Sequence, residues 1–286
     1  MRRAVLALLV LFSGCGEENS GGRVSGSLEG VILESYPIES APVVHLALYR
    51  YRSPSAAPPK SIVLLTHGFG AHHAIFDLQS PRSLARHLVE RGFEVWTADT
   101  RGSGNSSPRS LTDFKGWRFS FDDMVHTDMP AVIDFALKTS GADDFLWIGH
   151  SLGAPTLLAY LGTHPGIPCR GAVLMSPAIF VPYPGWKNDP KRAYFWSAIS
   201  VIRWLIPTGL GLPQGRLLNR LAWAIPEPNF TWTAWVLSWF TGPYFINREN
   251  MSPELLSLAL HKTISDMPST AMRQLMQWGT VMDTFT

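Results

Sequence analysis

The 286-residue chain has few charged residues and few cysteines, and both shortages exclude classes of protein. Charged residues make up 16% of the sequence and nearly cancel, leaving a formal net charge of +2. Because nucleic-acid binding needs clustered Lys and Arg, and no such block occurs, we expect no nucleic-acid partner. Two cysteines cannot form the disulfide framework of a small secreted protein. The 46% hydrophobic content indicates a globular chain with one large core or two small ones.

The N-terminus lacks an apolar run long enough to cross a membrane. Arg2 and Arg3 precede an apolar run at residues 4–12, whereas a membrane-spanning helix needs about 20 residues. This pattern is typical of a signal peptide, which we assign to residues 1–15. Its end, Ser13-Gly14-Cys15, resembles the lipobox of bacterial lipoproteins, in which the cysteine is acylated. The resemblance implies lipidation of Cys15 and a membrane anchor in the cell envelope.

An ordinary secretory signal is the alternative, and it would give a secreted or periplasmic protein. With Cys15 lipidated, Cys169 would be a lone thiol, which we interpret as a buried apolar side chain. A Gly/Ser-rich stretch, residues 16–28, is predicted to be a flexible linker between the signal peptide and the folded part.

Strands and helices alternate over residues 29–179, which predicts a core with a parallel sheet flanked by helices. The predicted strands are residues 43–52, 62–66, 93–98, 145–148 and 172–175, and the predicted helices are 82–91, 122–139 and 152–161. The run at 62–66 is almost wholly apolar, which is typical of a strand buried on both faces.

The alternation stops at residue 180. Residues 180–246 contain seven of the 11 tryptophans and eight prolines, and no strand alternates with a helix there. We therefore interpret residues 180–250 as a helical, tryptophan-rich cap over the sheet. The last segment, residues 251–286, is predicted to form two closing helices at 253–262 and 268–278.

A serine stands between two glycines where the strand at 145–148 meets the following helix. Gly149-His150-Ser151-Leu152-Gly153 fits the G-x-S-x-G pattern, which places a serine on a sharp turn between strand and helix. The glycines allow strand and helix to approach closely, and the helix N-terminus offers free N–H groups beside the hydroxyl. We therefore predict that Ser151 is a nucleophile. The alternative is a structural turn in which this serine only caps the helix.

An acyl-transfer site needs two N–H donors aimed at the developing oxyanion. Leu152 supplies one of them, because it follows the nucleophile directly. The loop His67-Gly68-Phe69-Gly70 follows an earlier buried strand and supplies the other, for which Phe69 is the best candidate. For the side chain of His67 we expect a hydrogen bond that orders this loop.

The sequence gives little support for a metal or phosphate site. His67, His72 and His73 lie close together, but no third-ligand pattern accompanies them, so we expect no metal. The Gly102-x-Gly104 stretch lacks the third glycine and the lysine of a phosphate-binding loop. No cofactor is expected.

Three segments resemble α/β-hydrolases, and within that fold the acid lipases of gastric and lysosomal type. They are LLTHGFG at 64–70, FEVWTADTRGSGNS at 93–106, and the segment from WRFSFDDM to GHSLG at 117–153. The acid lipases carry W-x-F-S-F-D-E-M, then D-x-P-A-x-I-D-F and G-H-S-Q-G, and Leu152 here replaces their glutamine. The resemblance covers residues 30–180 well. It implies a mostly parallel α/β-hydrolase sheet, Ser151 as the nucleophile, and the amides of Phe69 and Leu152 as the oxyanion hole.

A serine nucleophile also needs a histidine to take its proton and an acid to hold that histidine. In this fold both follow the serine, and only His164 and His261 do so here. His164 ends a helix of about ten residues, roughly 15 Å from its start. His261 is interpreted as a surface or capping residue. We expect the acid, the base and the last strands to lie beyond Thr286, in a longer protein; a pseudoenzyme is the alternative.

The predicted cap favours an apolar substrate. Its tryptophans and basic residues suit a lipid–water interface, although packing of the cap onto the core explains most of the tryptophans. We predict hydrolysis of carboxylic esters, lipid-like in kind, through an acyl-Ser151 intermediate. The alternatives are a thioesterase or other acyl hydrolase, and a non-catalytic lipid-binding lipoprotein.

Overall fold

The computed structural model of the chain describes residues 24–28, 30–55, 57–79, 81–110, 113, 115–177, 249–266, 270, 271 and 274, with the backbone alone for residues 24–28. They form a seven-stranded sheet, a two-stranded ribbon and helices on both faces of the sheet. Within these residues, none of the helices combines the length and the apolar composition that crossing a membrane requires.

The large sheet has an antiparallel half and a parallel half. The strands in chain order are β1 (Val24–Leu28), β2 (Val31–Ala41), β3 (Val44–Arg52), β4 (Ile62–Thr66), β5 (Asp77–Gln79), β6 (Arg82–Ser83), β7 (Glu94–Ala98), β8 (Phe145–His150) and β9 (Cys169–Met175). The sheet order is β1-β2-β3-β7-β4-β8-β9, antiparallel as far as the β3–β7 pair and parallel from β7 to β9. The predicted α/β class is confirmed, with a mixed sheet whose core is parallel.

The helices cover both faces of this parallel core. They are α1 (Leu84–Glu90), α2 (Phe121–Asp123), α3 (Met129–Ser140), α4 (Gly153–Thr163) and α5 (Pro253–Thr263). A π-helical turn, Met124–Asp128, joins α2 to α3, and a 3-10 turn spans His73–Phe76. Side chains of α1 belong to one buried apolar cluster, and side chains of α3 and α4 belong to the other.

Strand β4 shows how the sequence produces a sheet buried on both faces. All five of its residues, IVLLT, are buried. Because side chains alternate along a strand, Ile62 and Leu64 join the cluster of α3 and α4, while Val63 and Leu65 join that of α1. β4 lies between β7 and β8, so the carboxyl ends of these three parallel strands meet at one edge of the sheet.

Two strands of the large sheet, β1 and β2, lie where the sequence predicts none. The sequence predicts no strand at β2, because the buried Glu34 interrupts its apolar pattern; in the structure this carboxylate pairs with Arg50 and Arg52 of β3. Val24–Leu28, which the sequence assigns to the linker at residues 16–28, forms strand β1 and pairs with β2.

The helix predicted at 82–91 starts at Leu84 instead. Arg82 pairs with Gln79 in the ribbon, and the Ser83 hydroxyl caps α1 by accepting a hydrogen bond from the Arg86 N–H. The predicted cap and the second closing helix lie largely outside the described residues.

Candidate active site

Ser151 lies at the bend between β8 and α4. Its φ is 51°, in the left-handed region that residues other than glycine rarely adopt. Such a conformation costs about 1–3 kcal/mol and persists only where the surrounding structure enforces it. Here the Ser151 N–H donates a hydrogen bond to the carbonyl of Met175 at 3.0 Å, so the end of β9 helps to hold the bend.

The glycines on either side of Ser151 have no room for a side chain. A Cβ on Gly149 would lie 2.5 Å from the carbonyl oxygen of Gly153, and a Cβ on Gly153 would lie 2.3 Å from that of Thr66. The Thr66 hydroxyl donates to the Gly153 carbonyl at 3.2 Å, which ties β4 to the start of α4. The close approach of strand and helix that the sequence predicts is confirmed.

The loop after β4 touches the serine from the other side. We call residues 68–71 the oxyanion loop, after the role the sequence predicts for it. A Cβ on Gly68 would lie 2.7 Å from Ser151 Cβ and 3.2 Å from Ser151 Oγ. The backbone amides of Phe69 and Leu152 have no hydrogen-bond partner among the described residues, and both residues line one pocket together with Gly68. Two free N–H donors therefore come from the two segments that meet at Ser151.

His67 fixes the direction of one of these donors. The Thr100 N–H donates to His67 Nε2 at 3.0 Å, so the ring proton is on Nδ1, which donates to the Gly68 carbonyl at 2.8 Å. In a trans peptide the carbonyl and the next N–H point in opposite directions. Holding the Gly68 oxygen therefore aims the Phe69 N–H away from His67. This is the loop-ordering hydrogen bond that the sequence predicts.

Burial keeps the ring of His67 neutral. The residue is buried, and desolvation lowers its pKa to about 4 against the opposing effect of its bond to Gly68. A neutral imidazole is required here because Nε2 accepts a hydrogen bond, which a protonated ring could not do.

The structure brings a carboxylate, Asp99, next to two of the histidines that the sequence analysis considered as metal ligands. Ligand atoms of His72, His73 and Asp99 lie within 4.8 Å of one another, and this donor set suits zinc. Asp99 is fully buried and accepts hydrogen bonds on both oxygens, two from the N–H and Nδ1–H of His73 and others from Tyr49 and Asn105. Burial acts to raise the pKa of Asp99, but His73 and Asn105 lower it to about 2.

A metal ion would have to displace this network. His73 Nδ1 is 2.7 Å from Asp99 Oδ1, a hydrogen-bond distance, and the ring of His73 stacks on Tyr49 with centroids 3.5 Å apart. We therefore interpret the cluster as support for the 3-10 turn. Sequence reasoning missed it because Asp99 follows a different strand, 26 residues away.

A buried ion pair lies behind the pocket. Arg101 is bonded to both oxygens of Asp128 at 2.7 and 3.1 Å, and the Ser40 hydroxyl donates to the same carboxylate at 2.7 Å. Burial raises the pKa of Asp128 in spite of the opposing guanidinium. Arg101 also lines the pocket beside Leu152. The TRG and D-x-P-A segments that carry the resemblance contain these two residues, and this was the signal for them in the sequence.

The two histidines that follow Ser151 do not reach it. His164 Nδ1 bonds to the Tyr160 carbonyl at 3.1 Å and its ring stacks on Tyr160, at the far end of α4. His261 Nδ1 bonds to the Ser257 carbonyl at 2.9 Å within α5. Among the described residues, no side chain hydrogen-bonds to Ser151 Oγ.

Of the two cysteines, only Cys169 is among the described residues. Cys169, at the start of β9, is half-buried and not fully buried as the sequence predicts, because it stands at the edge of the described sheet. Cys15 lies outside the described residues.

The sheet order, the left-handed serine on a strand-to-helix bend and the facing glycine loop are those of the α/β-hydrolase class. Residues 61–242, more than half of the chain, match the alpha/beta hydrolase fold family. The chain belongs to this family.

Its relatives include lipases. Lipase member N of Homo sapiens is 29% identical over 196 residues, covering 59% of this chain and 49% of that protein. The tear acid lipase-like protein of Mesocricetus auratus is 36% identical over 114 residues, covering 38% of this chain and 29% of that protein. The chain spans less than half the length of either relative.

A solved structure from Sulfolobus solfataricus, described as a candidate lipase, has the same fold. It matches with a TM-score of 0.57 and 15% identity, covering 90% of this chain and 79% of that one. The resemblance to α/β-hydrolases and acid lipases is confirmed.

Proposed function

We propose that the protein is a serine hydrolase that cleaves lipid-like carboxylic esters through an acyl-Ser151 intermediate. One observation carries this proposal: the left-handed Ser151 packs against Gly68, and the amides of Phe69 and Leu152, which bond to none of the described residues, line the same pocket as Gly68. A hydroxyl on a strained bend, next to two free N–H donors, is the arrangement that acyl transfer needs. The similarity to acid lipases favours an ester with an apolar acyl group.

In this proposal Ser151 Oγ attacks the ester carbonyl carbon while a base takes the hydroxyl proton. The carbonyl electron pair moves to oxygen, and the amides of Phe69 and Leu152 stabilise that charge. Collapse of this intermediate breaks the bond to the alcohol, which leaves with the proton, and the acyl group stays on Ser151. Water then attacks the acyl-enzyme, releasing a carboxylic acid and restoring the hydroxyl. The acid and base stay predictions, since no described histidine is bonded to Ser151.

A second candidate is a lipid-binding protein without catalysis. It is favoured by the lack of a hydrogen-bond partner for Ser151 Oγ among the described residues, because a serine without a base is a poor nucleophile. A thioesterase would use the same bend and amides and would differ only in expelling a thiol.

Covalent labelling with a fluorophosphonate distinguishes these candidates. The probe phosphonylates only an activated serine, so the wild-type protein should be labelled and Ser151→Ala should not. Gly68→Ala keeps the serine but puts a Cβ 2.7 Å from Ser151 Cβ. We expect labelling to fall at least tenfold, because loss of an oxyanion donor lowers kcat by about 10²–10³-fold. Gly162→Ala in α4 is the matched control, since its Cβ would meet no atom within 4 Å.

Each outcome of the labelling experiment decides between the candidate functions. Labelling that persists in Ser151→Ala would show that another residue is the nucleophile. A wild-type protein that takes no label but binds a fluorescent fatty acid would be the non-catalytic lipid binder.

A further inference from the structure

The segment directly after α5 packs against the oxyanion loop. Ser265 is buried, and its N–H donates to the Gly70 carbonyl at 2.8 Å. Its hydroxyl accepts a hydrogen bond from the Gly104 N–H at 2.7 Å, in the loop that follows β7. One residue therefore bonds to the two loops that flank the candidate site, although it lies 161 residues from Gly104 in the sequence.

The bond from Ser265 leads to the Phe69 amide through two peptide planes. Ser265 holds the Gly70 oxygen, and the N–H on the other side of that peptide, Ala71, donates to the Gly68 carbonyl at 3.3 Å. The N–H on the other side of the Gly68 peptide belongs to Phe69. Since both peptides are trans, each bond sets the direction of the next. Gly70 has a φ of 72°. Because glycine has no Cβ, its own backbone sets few limits on this conformation, and the two hydrogen bonds decide it.

Neighbouring contacts hold this segment in place. The imidazole of His72, just past the oxyanion loop, donates to the backbone carbonyl of Lys262 at the end of α5. The Lys262 ammonium donates to the Leu78 carbonyl at 2.5 Å. Asp266, the residue after Ser265, lines the same pocket as Phe69 and Leu152. The end of α5 is therefore bonded to the oxyanion loop through Ser265, and to the segment that follows this loop through Lys262.

We propose that Ser265 is a positioning residue, which aims the Phe69 N–H at the oxyanion by tying the oxyanion loop to the loop after β7. His67 holds the Gly68 carbonyl from the buried side, and Ser265 holds the same carbonyl indirectly from the side of α5. The catalytic part of this inference rests on the proposed function.

The test compares Ser265→Ala and Ser265→Thr with the wild-type protein. Ala removes the hydroxyl that accepts from the Gly104 N–H, and Thr restores it. Both variants keep the backbone N–H that bonds to Gly70, so the comparison tests the tie between the two loops. For hydrolysis of p-nitrophenyl butyrate we expect Ser265→Ala to lower kcat about tenfold with KM changed less than twofold, because the oxyanion forms only after binding. Ser265→Thr should recover most of kcat. Amide hydrogen exchange of residues 67–76, read by mass spectrometry, should speed up at least fivefold in the Ala variant.

Ser252→Ala is the matched control. Its hydroxyl caps the N-terminus of α5 and accepts from the Leu255 N–H, away from the oxyanion loop, so it should weaken α5 without changing kcat. The inference is wrong if Ser265→Ala leaves exchange in residues 67–76 no faster than Ser252→Ala does, or if both variants lower kcat equally. If the wild-type protein hydrolyses no ester, the proposed function fails by itself, and the exchange data still decide whether Ser265 holds the loop.

Discussion

At the scale of single residues, the site depends on small groups in places that larger ones cannot occupy. Gly149 and Gly153 could be predicted from the G-x-S-x-G pattern, but only the crowding at Gly149 comes from the turn itself, whereas Gly153 faces Thr66 of β4. For His67, the sequence predicted a hydrogen bond that orders the loop, but not the partners of that bond. Its second partner, Thr100, lies 33 residues away on another loop, and no local pattern connects the two. A separation of 26 residues likewise kept the contact between Asp99 and His73 from being predicted.

His67 should make stability fall with acidity. Its folded-state pKa is about 4, whereas an exposed histidine titrates near 6.5. Between these values His67 binds a proton in the unfolded chain but not in the folded protein. Its contribution to the free energy of unfolding is therefore complete above pH 6.5 and is lost as pH falls to about 4. A shift of roughly 2.5 units corresponds to about 3 kcal/mol.

Urea unfolding of the wild-type protein and His67→Asn between pH 7.5 and 4.5 measures this effect. Asn does not titrate, so the variant should start less stable and lose less stability on acidification. Parallel curves for the two proteins would show that His67 is not the group responsible.

At the scale of helices and strands, runs of apolar residues were predictable, whereas a strand with a buried charge in its interior was not. β4 and β7 are buried along their whole length, and their sequence ranges match the predictions within one residue. β2 was missed because its buried Glu34 is neutralised by Arg50 and Arg52 on the adjacent strand. A carboxylate can enter a sheet when its partner strand brings the opposite charge, and a single strand's sequence does not show that.

Asp128 joins three elements through one buried ion pair. Its carboxylate connects the π-helical turn to Arg101 in the loop after β7 and to Ser40 at the end of β2. Asp128→Ala would leave the guanidinium of Arg101, whose side chain is only 10% exposed, without its partner. We expect a loss of about 3–5 kcal/mol in the free energy of unfolding, measured in urea.

An exposed ion pair on the same domain provides the control. Asp144 and Arg170 are 3.7 Å apart, with side chains 41% and 60% exposed. Asp144→Ala should change the free energy of unfolding by less than about 1 kcal/mol, because solvent screens the pair. Equal losses in the two variants would mean that burial of Asp128 does not determine its contribution.

At the scale of the whole molecule, the site is collected at one edge of the sheet from distant parts of the chain. β7, β4 and β8 are adjacent and parallel, so the loops after them bring Asp99, Phe69 and Ser151 to the same edge. The alternation of strands and helices predicts a parallel sheet, but it does not give the order of its strands. That order decides which loops meet, and Ser265 arrives from a segment still further along.

The lipid anchor that the sequence predicts at Cys15 would be a property of the whole molecule, because it would decide where the site works. The chain has two cysteines, so Cys169→Ser provides a matched control for Cys15→Ser. We expect bacterial cells fed an alkynyl fatty acid to label the wild-type protein and Cys169→Ser, and both to sediment with membranes. Cys15→Ser should lose the label and the sedimentation together. Label retained in that variant would place the acyl group elsewhere, while an unlabelled wild-type protein released into the periplasm would support the ordinary secretory signal.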